Sequence, residues 1–78
     1  MDIKESIGER IRELREQQKL SQEKLAEFAN LDRTYINSVE KGKRNISIIN
    51  IEKIANALGY TLREFFTSEI FSNNKKKK

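Results

Sequence analysis

An all-α fold is predicted by three features of the sequence. Apolar residues return every three or four positions, as they must to line one face of a helix with a period of about 3.6 residues. Proline is absent and glycine occurs three times in 78 residues, too few turn-formers for an all-β or loop-rich domain. Charged residues make up 36% and apolar residues another 36%, the balance expected of amphipathic helices around one modest core. This length supplies one domain, predicted to be a compact five-helix body over residues 1–71 with a basic, disordered tail over 72–78.

Each helix has its own signal. Ile3, Ile7, Ile11 and Leu14 stand 4, 4 and 3 residues apart with charged residues between them, which predicts an amphipathic first helix from about residue 3 to Gln18. Ser21, whose hydroxyl can accept from a free helix N–H, opens a second helix to Ala29, with Leu25, Ala26, Phe28 and Ala29 inward. Lys24 stands where a capping box needs Glu or Gln, so only half of that motif is present. Asn30 ends the helix because asparagine tolerates left-handed backbone. Asp32 is expected to cap a third helix from Arg33 to about Lys41, with Ile36 and Val39 inward and Gly42 just past its end.

Lys43 to Ile46 read as a basic loop. Ser47 caps a fourth helix whose Ile48, Ile51, Ile54, Ala55 and Leu58 share one face, and Gly59 closes it. Thr61 and Glu64 form the capping box of a fifth helix carrying Leu62, Phe65 and Phe66, and Ile70 and Phe71 extend its apolar content. The second and third helices are too short to hold alone. They must dock on the isoleucine stripe of the first.

Composition excludes several functions. Cysteine and histidine are both absent, which removes disulfides, thiolate or histidine zinc sites, a Ser-His-Asp triad and a histidine general base. Neither catalytic residues, a metal nor a cofactor is expected. No apolar run approaches the roughly 18 residues of a membrane span, and no secretory segment follows Met1. A cytoplasmic protein without membrane contact is predicted. The net charge of +4 is weak evidence for a nucleic-acid partner. Lys75 to Lys78 supply four of the 16 basic residues, leaving 12 against 12 acids in the body. Distribution says more: Arg33, Lys41, Lys43 and Arg44 face a single acid, Glu40, within residues 33–44.

Two short helices joined by a tight turn form a helix-turn-helix pattern, weak by itself because many bundles contain one. The outer face sharpens it. With Ile36 and Val39 inward, the third helix shows Arg33, Thr34, Asn37 and Ser38, with Tyr35 on the flank. Arginine can pair with guanine O6 and N7, asparagine with adenine, and threonine can offer a methyl or a hydroxyl. These residues sit toward the N-terminal part of the helix, which usually reaches the bases. Gln22, at the start of the second helix, and Lys43, Arg44 and Asn45 after the third are candidates for phosphate contact, joined by Tyr35.

The combined pattern resembles a known family. Ser21-Gln22-Glu23-Lys24-Leu25-Ala26, Leu31-Asp32-Arg33-Thr34-Tyr35-Ile36, Val39-Glu40-Lys41-Gly42 and the run from Ile51 to Gly59 look like the Cro/C1-type (XRE) helix-turn-helix domain, with its lambda-repressor-like fold. Leu31 to Ile36, taken with Arg44-Asn45-Ile46-Ser47, looks most like the controller proteins of restriction–modification systems. The resemblance implies a homodimer on palindromic operators in double-stranded DNA at bacterial promoters, associated with the nucleoid. It makes RNA polymerase a further candidate partner. Family base-reading positions match Arg33, Thr34, Asn37 and Ser38, and phosphate positions match Gln22, Arg44 and Asn45. The family's structural Arg–Glu pair matches Arg15 and Glu40. The Lys75–Lys78 run is not required by the controller pattern.

Dimerisation also follows from reading capacity. One short helix reads about four or five base pairs, too few to specify a genomic site. A two-fold dimer places two reading helices roughly 34 Å apart, one turn of B-DNA. Tyr60, Ile70 and Phe71 are the expected interface, with Phe65 and Phe66 closing the monomer core. The competing reading is an antitoxin or other autoregulatory repressor of the same fold, acting partly through a protein partner; the neighbouring gene would separate the two.

Overall fold

The computed structural model describes residues 2–72. Among these residues, five α-helices follow one another: α1 (Ile3–Gln17), α2 (Gln22–Ala29), α3 (Arg33–Glu40), α4 (Ile48–Ala57) and α5 (Leu62–Phe66). A short 3-10 turn, Glu69–Phe71, completes the chain of elements. The Lys75–Lys78 run and most of the predicted tail lie outside the described residues.

Hydroxyl and carboxylate caps start the helices. The Asp2 carboxylate accepts from Lys4 N–H at 2.9 Å, and the Ser21 and Ser47 hydroxyls accept from Lys24 and Asn50 N–H at 3.0 and 3.1 Å. At α5 both halves of the capping box are made, Glu64 N–H to Thr61 at 3.1 Å and Thr61 N–H to Glu64 at 2.9 Å. Asp32 precedes α3 with extended backbone but its side chain makes no capping bond, contrary to expectation. Four helices end alike, on a left-handed residue whose successor donates back to a carbonyl five residues earlier. The left-handed residues are Lys19, Asn30, Gly42 and Gly59. The bonds that follow them are Leu20 to Arg15, Leu31 to Ala26, Lys43 to Ser38 and Tyr60 to Ala55. Lys19 gives no sequence signal for this role, because a lysine there carries a steric cost that glycine avoids.

The helices enclose one core. α1 packs on α3, α2 on both α3 and α4, α4 on α5, and α1 also meets the 3-10 turn. Ile11, Leu25, Ile36, Ile54, Ala55 and Phe65 lie completely buried where these faces meet. Gly8 brings α1 against the end of α3. A methyl on Gly8 would collide with the Val39 carbonyl oxygen and lie 2.7 Å from that of Glu40. Only a residue without a side chain permits this approach.

Arg10 holds the C-terminal segment. It is buried beside Tyr60, 5.8 Å from that ring's centre. Its Nε donates to the Phe65 carbonyl at 2.7 Å, and Nη2 donates to those of Glu64 and Thr67 at 3.0 and 3.4 Å. The Glu64 carbonyl also accepts from the Thr67 N–H at 3.2 Å, and a cation beside the last carbonyls of a helix suits its dipole. Periodicity marks Arg10 only as one of the charged residues between the isoleucines of α1.

Several apolar residues depart from expectation. Phe28 is exposed, with Lys24 Nζ 5.8 Å from its ring centre, because Leu25, Ala26 and Ala29 fill a narrow arc of α2 that excludes it. Ile3 and Ile48, the first residues of α1 and α4, are exposed as well: their apolar stripes run past the layer they pack on. Phe66 does not close the core. It lies at the surface edge, 5.1 Å centre to centre from both Phe65 and Phe71, while Phe65 alone is buried. The fifth helix stops at Phe66, so Ile70 and Phe71 belong to the separate 3-10 turn.

Candidate nucleic-acid interface

α2 and α3 are joined through Asn30, Leu31 and Asp32. The left-handed Asn30 reverses the chain, and Ile36 and Val39 anchor the inner side of α3. The opposite side is outward. Arg33 and Thr34 are exposed, and Asn37 and Ser38 half-buried. The four residues proposed to read bases therefore all keep surface accessible on the outer side of α3.

The angle of α3 is set from behind. Arg15 Nε donates to Glu40 Oε2 at 2.7 Å and Nη2 donates to Oε1 at 3.0 Å, a two-point pair with Glu40 buried. Arg15 Nη1 also donates to the Leu20 carbonyl at 2.7 Å, tying the turn before α2 to the same group. The Glu40 hydrogen bonds raise the Arg15 guanidinium above its ordinary, already high pKa; burial opposes the rise, and the charges of Glu40 and Glu16 add to it. The expected Arg15–Glu40 pair is thus present, and it links α1 to the last residue of α3.

That pair continues outward. Gln22 Nε2 donates to Glu40 Oε1 at 3.1 Å, and Asn37 Nδ2 donates to Gln22 Oε1 at 3.2 Å. Gln22 stands at the first position of α2, as expected, but its amide is engaged by two protein partners rather than turned freely to solvent.

Tyr35 and Arg44 are also brought together. The Arg44 guanidinium lies over the Tyr35 ring, 4.9 Å from its centre, and Asn50 Nδ2 donates to the Tyr35 hydroxyl at 3.1 Å. One aromatic residue of α3 thereby steadies both the basic loop and the first turn of α4. Lys43, Arg44 and Asn45 are all exposed on that loop. Asn50 was not singled out from sequence, because a polar residue in the first turn of a helix carries no mark of a tertiary partner. The three proposed interface residues sit apart from this face. Tyr60, Ile70 and Phe71 are each half-buried, Tyr60 beside Arg10 and Phe71 against Phe65 and Phe66.

Among the described residues no group of three or more His, Cys, Asp or Glu side chains could hold a metal ion, and no helix is long and apolar enough to cross a membrane.

Two short helices joined by a tight turn, the second outward with polar side chains and paired to α1 through Arg15 and Glu40, define a helix-turn-helix protein. A family model described as Helix-turn-helix matches residues 11–65, and the chain belongs to that family. Its relatives narrow the group to controller proteins of restriction–modification systems. Control protein C.MunI of a Mycoplasma species is 51% identical over 67 residues, covering 85% of this chain and 90% of that protein. The crystal structure of the restriction–modification controller protein C.AhdI from Aeromonas hydrophila superimposes with a TM-score of 0.78 at 49% identity, covering 81% of this chain and 96% of that one. The controller protein C.Esp1396I, solved as a tetramer on its natural 35 base-pair operator, gives a TM-score of 0.80 at 33% identity, with 85% and 87% of the two chains covered. The family is one of transcriptional regulators, in agreement with the resemblance read from the sequence.

Proposed function

We propose that this protein is the controller of a restriction–modification system, a homodimer that binds palindromic operators in double-stranded DNA and regulates transcription from them. One observation carries the reading: the exposed face of α3 presents Arg33, Thr34, Asn37 and Ser38 together, on a helix whose angle the Arg15–Glu40 pair sets. In this reading α3 enters the major groove and reads bases. Lys43, Arg44 and Asn45, with Tyr35 beside them, grip the flanking phosphates, which fixes register without specifying sequence, while Gln22, expected there too, is held by Glu40 and Asn37 instead. The likeness to an operator-bound controller supports the ligand assignment.

The dimer is proposed on the apolar surface outside this face. Tyr60, Ile70 and Phe71 keep part of their surface accessible, and Ile48, Ile49 and Phe66 add exposed apolar area to what a second subunit can cover. Activation would bring RNA polymerase to the promoter-bound dimer, and the nucleoid is then the site of action.

The test is fluorescence anisotropy of the full chain on duplexes carrying the inverted repeats that flank its own gene, at about 50 mM salt, where phosphate contacts are strong. Saturation at two chains per repeat, with competition by random duplex needing a large excess, is the expected result. Indifference to every duplex at that ionic strength would overturn the reading.

A further inference from the structure

We infer that Gln22 and Glu40 are positioning residues that set which way round the Asn37 amide faces a base, and so fix base preference at one operator position. The inference rests on α3 reading DNA as proposed above.

The argument is one of donors and acceptors. Arg15 can only donate, so it meets Glu40 at the carboxylate. An ionised carboxylate can only accept. The Gln22 amide must therefore turn its Nε2 toward Glu40, where it lies 3.1 Å from Oε1. That leaves Gln22 Oε1, an acceptor, facing Asn37, and Asn37 must answer with Nδ2, which lies 3.2 Å away. Polarity passes along the chain Arg15, Glu40, Gln22, Asn37 with no step that can reverse alone. Asn37 is left with Oδ1 and one Nδ2 hydrogen for a partner outside the protein.

The order of that pair matters in the major groove. An A·T pair shows acceptor, donor, acceptor and methyl across the groove, whereas G·C shows acceptor, acceptor, donor. An asparagine amide reads adenine by donating to N7 and accepting from N6. A flipped amide offers the reverse order and fits a different edge. A free asparagine on a helix surface samples both orientations; here a buried carboxylate selects one. Glu40 touches no base in this arrangement and still governs a base choice.

The experiment uses the full chain and duplexes selected by the wild-type protein from a randomised library, then permuted one base pair at a time. Wild type should prefer one base pair at the Asn37 position by roughly tenfold or more, the range of a good bidentate contact. Asn37→Ala should abolish that preference. Gln22→Leu leaves the Arg15–Glu40 pair intact and should cut the preference at the same position by about threefold or more, because the amide can then flip. Adding Gln22→Leu to Asn37→Ala should change that position no further, a non-additivity that a merely structural role would not produce. If Gln22→Leu weakens all four base pairs there equally, or relaxes a different position, the relay is overturned and Gln22 acts as a phosphate or base contact of its own. If Asn37→Ala alters no position, the base-reading role of Asn37 fails first, and the relay with it.

Discussion

The guanidinium of Arg15 and the carboxylate of Glu40 meet edge to edge, at 2.7 and 3.0 Å, across 25 residues of sequence. The contact joins the last turn of α1 to the last residue of α3. Its side chains are 12% and 3% exposed, so neither charge is well hydrated and each depends on the other.

Removing one partner should therefore be expensive. Glu40→Ala leaves a nearly buried guanidinium without its anion, and a loss of about 3–5 kcal/mol is expected. Urea unfolding should show a lower midpoint with an unchanged slope. A loss below about 1 kcal/mol would place the pair among solvated surface bridges.

Gly8→Ala sets two effects against each other. Alanine favours helix by about 1 kcal/mol over glycine. Here its methyl would strike the Val39 carbonyl and crowd that of Glu40, backbone groups that a rotamer change cannot move. A net destabilisation of roughly 1–3 kcal/mol is expected, with α3 pushed away from α1. Thermal unfolding measures the sign; a stabilised variant would show that α1 and α3 separate at no cost.

Arg10→Lys keeps the charge and removes the fork. A single ammonium cannot serve the Phe65, Glu64 and Thr67 carbonyls as the guanidinium does. The expected loss is about 1–3 kcal/mol, concentrated in the C-terminal segment. Hydrogen exchange should quicken at the Thr67 and Phe71 amides more than within α2. Uniform quickening would mean that the segment unfolds only with the whole domain.

Arg33 and Arg44 should separate by the kind of contact each makes. Arg33→Ala is expected to cost about 1–3 kcal/mol on the specific operator and to relax preference at one base position. Arg44→Ala should weaken specific and random duplexes alike and lower the salt slope by about one unit. Equal loss on random DNA for Arg33, or an unchanged slope for Arg44, would exchange their roles or remove them from the interface.

Much of this molecule was legible in the chain itself. Serine and threonine caps, Asn30, Gly42 and Gly59 marked where helices begin and end, because capping is local chemistry with a range of a few residues. The spacing of Ile7, Ile11 and Leu14, and of Ile36 and Val39, fixed which faces turn inward, and so which face of α3 is left for a ligand. The tertiary structure alone decided contacts between groups distant in sequence. Phe28, Ile48 and Phe66 were placed inward by periodicity, yet whether an apolar face is covered depends on where the neighbouring helices end. Arg10 on the carbonyls of α5, Gly8 against α3 and the amide chain from Glu40 to Asn37 have no local signature. A side chain's conformational preferences are set by its own backbone, but its hydrogen-bond partners are set by which elements the core brings together.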